Sequence, residues 1–76
     1  MATDRDNAVR QVLWVIGDRE NGWQPGGFAT ALLEAWAHAD HYNDMQLTAA
    51  FPALGEAVAA SKRGGREALL VMLSHG

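Results

Sequence analysis

The chain has 76 residues, 49% of them hydrophobic and 20% charged, with nine acidic and six basic side chains and a net charge of −3. That length holds one apolar core and excludes a two-domain enzyme, while the apolar share is too high for a disordered tail. The acidic balance disfavours non-specific coating of nucleic acid, and the absence of cysteine excludes disulfides and thiolate metal sites.

Fourteen alanines against nine β-branched residues, with little strict alternation, predict an all-α fold. The expectation is a single domain over residues 1–76, a small bundle of four or five short helices. A first helix is expected from about Asp4 to Ile16, with Thr3 and Asp6 as a capping pair and Gly17 as its stop. Val9, Val12, Leu13 and Ile16 form its apolar stripe, widened by Trp14 and Val15, with Arg10 and Gln11 turned away. Residues 18–27, DRENGWQPGG, are a loop built on Asn21-Gly22, Pro25 and Gly26-Gly27. Trp23 within it either folds back on the core or serves as an anchor for a partner or a stacked ring.

A second helix, Phe28 to Ala39, is apolar nearly all round and is expected to be central, buried against two neighbours or another subunit. Asp40 with Asn43 caps a third helix through Met45, Leu47, Ala50 and Phe51. Pro52 cannot continue that helix but suits the first turn of a fourth, which runs to Ser61 with Leu54, Ala57, Val58 and Ala60 inward. Lys62-Arg63-Gly64-Gly65 is a turn out of it. The closing stretch Glu67 to Leu73 reads as a short helix, a strand or an exchanged arm. Folding at this size buries only ~60% of the surface that the unfolded chain exposes, so self-association into a homo-oligomer is expected as a supplement.

From Phe28 to Val58 the chain resembles short proteins encoded by bacteriophages and prophages, including those of actinobacteria. The residues that carry the resemblance are Phe28, Leu32, Leu33, Ala35, Ala39-Asp40, Asn43, Leu47, Ala50-Phe51-Pro52, Leu54 and Ala57-Val58. It implies an accessory protein of phage type and no particular reaction, acting in the host cytoplasm if phage-encoded. No apolar run approaches the ~20 residues of a membrane span, and MATDRDNAVR lacks the build of a signal peptide, in keeping with a cytoplasmic location.

Between Glu20 and Ser61 there are five acids and no Lys or Arg, after which Lys62, Arg63 and Arg66 crowd together. Lys62, Arg63, Gly64, Gly65 and Arg66 are the candidate anion site: glycines admit close backbone approach, a helix start offers N–H groups, and three cations neutralise phosphate. The competing structural reading is that basic residues complement a helix C-terminus and the glycines end it. Gly26-Gly27 ahead of Phe28 offers a similar helix start, with Trp23 or Tyr42 available to stack on a base. Glu34, His38, His41 and Asp44, spaced four, three and three apart, have the spacing of helical metal ligands, although Asp40 breaks the helix between the histidines and leaves a solvated polar face as the alternative. His75 adds little to them.

Ser61 and Ser74 stand at helix ends and no nucleophile elbow exists, so no catalytic residue and no cofactor are expected. The expected function is therefore non-enzymatic: an accessory protein that interferes with a host defence system by sequestering a small anionic ligand such as a nucleotide signal. The rival is a small inhibitor that docks on a host protein through its acidic middle surface and Trp23. A helical DNA-binding or metal-binding module is a further alternative, but a DNA reader would carry its bases on a recognition helix rather than in a turn.

Overall fold

In a computed structural model, which describes residues 4–74, the chain forms four helices: α1 over Asp4–Val15, α2 over Gly27–His38, α3 over His41–Ala50 and α4 over Pro52–Ser74. No strand occurs among the described residues, and no helix of theirs is long and apolar enough to cross a membrane. The expected Thr3 cap and His75 lie outside the described residues.

Ala8, Val9, Val12 and Leu13 repeat at helical spacing and bury one face of α1 against α4. The helix stops where Gly17 takes a φ of 106°; Gly17 N–H donates to the Trp14 carbonyl and Asp18 N–H to the Leu13 carbonyl, which satisfies two carbonyls of the last turn. Ile16, expected on the apolar stripe, lies beyond that last turn and is half exposed, because the reversal at Gly17 carries it off the buried face.

From α4 come the other large contributions to the core. Ala57, Val58 and Ala60 fill its first half, and Leu69 and Met72 its second. Between them α4 bends at Gly65, whose φ of 62° and ψ of −147° belong to a region open to glycine and costly for other residues. The turn expected over 62–65 thus contracts to one residue, with Lys62, Arg63 and Gly64 helical. The closing ALLVML is helix, and its Leu69 is fully buried.

The expectation for α2 is corrected. It is peripheral, buries only Leu33 and Trp36, and leaves Phe28 69% exposed. Half of its apolar residues are alanines, which favour helix formation but offer little surface to bury, and of its larger side chains only Leu33 and Trp36 are buried in the core that α1 and α4 build. Phe28 leans edge-on against Phe51, with ring centroids 5.8 Å apart.

At the next junction the expected cap is present, the Asp40 carboxylate accepting the Asn43 N–H at 2.8 Å. Phe51 closes α3 through its N–H to the Leu47 carbonyl, and its own carbonyl accepts the Gly55 N–H of α4, with Pro52 in the first turn. Although Leu47 packs against the core, α3 buries no residue fully.

Candidate functional site

The loop between α1 and α2 is organised by one carboxylate. Asp18, with only 4% of its side chain exposed, accepts the N–H groups of Glu20 and Asn21 and the Asn21 side-chain amide, all at 3.0–3.1 Å. Its other partner comes from the far end of the sequence, since Arg66 Nε donates to Asp18 Oδ2 at 2.7 Å. The Asn21 backbone and amide donors, then the Arg66 guanidinium, favour the ionised carboxylate over the opposing effect of desolvation and lower its pKa from the ordinary 3.8 to about 2. Gly22 follows in the only form that fits, because a Cβ there would fall on the Trp14 backbone nitrogen.

This loop lays two indoles against two guanidiniums. Trp23 donates its backbone N–H to the Arg10 carbonyl, the Arg10 guanidinium stands 4.7 Å above the Trp23 ring, and the Arg10 Nη1 donates to the Asn21 carbonyl at 2.8 Å. Arg19 stands 4.1 Å above the Trp14 ring. Both distances suit attraction between a cation and an aromatic face. Trp23 is 45% exposed, so it rests on the outside of α1 beneath an arginine rather than within the core.

The residues of the expected anion site divide. Arg66 joins the loop through Asp18, so the basic segment and Trp23 are tied to the same loop. Lys62 turns away to Asp44 Oδ2 at 2.8 Å. Arg63 is exposed and makes no hydrogen bond or ion pair among the described residues, while Gly64 packs near Ala68 and Gly65 forms the bend. Tyr42, the other candidate stacking ring, stands 67% exposed on α3.

Glu34, His38, His41 and Asp44 are not brought together, and among the described residues no group of three or more such side chains is placed to hold a metal ion. Asp44 is occupied by Lys62 and by the Thr48 hydroxyl at 3.2 Å. Lys62 foremost, then Thr48 and the indole of Trp36, hold its pKa below the ordinary value against partial desolvation. The Trp36 N–H faces this carboxylate without closing a hydrogen bond of its own.

Arg10, turned away from the apolar stripe as its spacing predicts, and Arg19 carry no sequence pattern that marks them as site residues. Arg10 pairs with a tryptophan thirteen positions on only because the chain reverses at Gly17, and nothing in local spacing announces that reversal's geometry. Compared with known protein families, with curated proteins and with solved structures, the chain finds no match.

Proposed function

We propose that this chain is a non-enzymatic binding protein, an accessory protein of phage type that interferes with a host defence system by holding a small anionic ligand such as a nucleotide. The observation that carries the reading is the Asp18–Arg66 bridge, which ties the basic end of the sequence to the loop that holds Arg19 and Trp23. Stacking on indoles and pairing with Asp18 hold three guanidiniums in place before a ligand arrives, so less conformational freedom is lost on binding phosphate oxygens. Arg63, three residues before Arg66, adds a cation whose guanidinium has no competing partner among the described residues. The likeness of Phe28 to Val58 to phage-encoded proteins supports the accessory role.

Titration of tryptophan fluorescence with ATP, a cyclic dinucleotide and pyrophosphate tests this. Saturable quenching is expected, weakened roughly 10-fold or more in the Arg19→Ala, Arg63→Ala double variant, since a hydrogen bond to a charged group contributes about 1.5–3 kcal/mol. Neither residue supports the core, so the variant folds; equal affinity in it, or no saturation in the parent, rejects the reading.

A second reading has its own observation. Tyr42 and Met45, 67% and 60% exposed on α3, line one surface groove with Gln46 and Ala49, a patch suited to self-association or to docking on a host protein. Light scattering decides the self-association arm: an oligomer at micromolar concentration that becomes a monomer on Tyr42→Glu with Met45→Glu supports it, and a monomeric parent removes it.

A further inference from the structure

Of the three asparagines in the chain, only Asn21 is followed by glycine. Asparagine is a chemically labile residue, and a following glycine has no Cβ to hinder its backbone nitrogen from reaching the asparagine side-chain carbonyl carbon. Here both reacting groups are tied down by Asp18. The Asn21 Nδ2, which would leave, donates to Asp18 Oδ2 at 3.0 Å, and the Gly22 N–H, whose nitrogen would attack, donates to the Asp18 carbonyl at 3.0 Å. The Asn21 backbone is fixed on both sides, its N–H donating to Asp18 Oδ1 and its carbonyl accepting from Arg10. Gly22 is buried against the Trp14 backbone. Asp18 is in turn held by Arg66 at 2.7 Å, from a helix remote in sequence.

We propose that Asn21 is a site of spontaneous deamidation gated by the Asp18–Arg66 bridge: the closed loop suppresses the reaction, opening of the loop permits it, and the product prevents the loop from closing again. On opening, the Gly22 nitrogen loses its proton to water or hydroxide and attacks Asn21 Cγ. The new N–Cγ bond replaces the Cγ–Nδ2 bond, and Nδ2 takes up a proton and departs as ammonia, leaving a cyclic imide. Water then opens the imide at either carbonyl, giving aspartate or isoaspartate at position 21. Aspartate sets a carboxylate against the Asp18 carboxylate where the amide had donated, so attraction becomes repulsion. Isoaspartate also lengthens the main chain by a methylene ahead of Gly22, where Trp14 leaves no space for added carbon. Either product releases the loop that carries Arg19 and Trp23.

The test is incubation of the full chain in mildly alkaline buffer, with conversion at each asparagine followed by peptide mass mapping and isoaspartate measured with an isoaspartyl methyltransferase. The native parent is expected to convert at Asn21 at least ~10-fold more slowly than the same chain in denaturing urea, because reaction waits on local opening. Arg66→Gln removes a half-exposed partner and is expected to speed conversion at Asn21 several-fold, up to ~10-fold, while Asn7 and Asn43 keep their parent rates. Asn21→Asp is expected to unfold at lower urea than the parent. Equal rates at Asn21 in native and denatured parent overturn the proposal. So does an Arg66→Gln rate no faster than the parent's, an acceleration shared equally by Asn7 and Asn43, or an Asn21→Asp chain as stable as the parent.

Discussion

Asp18 is the residue on which the loop turns, and its depressed pKa fixes how acid acts on it. A carboxylate lowered from 3.8 to about 2 on folding contributes stability that is complete above the unfolded value and is lost as pH falls through the folded one. Stability is therefore expected to be insensitive to this group near neutrality, to decline below about pH 4 and to have lost most of the contribution by about pH 2. Urea unfolding at stepped pH measures it, and Asp18→Asn should flatten that part of the profile while lowering stability at pH 7, since the amide keeps the shape but forfeits the charge on which Arg66 relies. Gly65 offers a second test at the scale of one residue. Gly65→Ala places a side chain at a φ of 62°, and a loss of about 1–3 kcal/mol is expected by chemical denaturation.

Among the helices, α3 is the least anchored, with no fully buried residue and a start that depends on the Asp40 carboxylate. Asp40→Ala is expected to cost about 1 kcal/mol and to speed amide exchange across α3 before the rest of the molecule responds. That cap was legible in the sequence because Asp40 and Asn43 act locally, and so were the Pro52 start and the glycine stop after α1. The place of α2 was not, because apolar composition reports helix formation and burial together and the two part company in α2, where Phe28 stays exposed and alanines fill half of the apolar positions. The candidate site was half legible for the same reason. Lys62, Arg63 and Arg66 stand out as a cluster, but only the fold sends Lys62 to Asp44 and Arg66 to Asp18, and only the reversal at Gly17 lays Arg10 on Trp23.

At the scale of the molecule, stability rests on the seam between α1 and α4, where Leu13 and Leu69 are both fully buried. Leu13→Ala or Leu69→Ala is expected to cost about 2–5 kcal/mol, read from the denaturation midpoint. Domains of ordinary size are stable by only about 5–15 kcal/mol, so either change should leave a large unfolded fraction at moderate urea. Drawn straight at ~1.5 Å per residue, the 23 residues of α4 would form a rod of about 34 Å, longer than the 30 Å maximum extent of the particle. The near-spherical outline, 30 × 24 × 23 Å, thus depends on a hydrogen atom standing where any other residue type would carry carbon, since without that corner the tail would project into solvent and take Leu69 and Met72 with it.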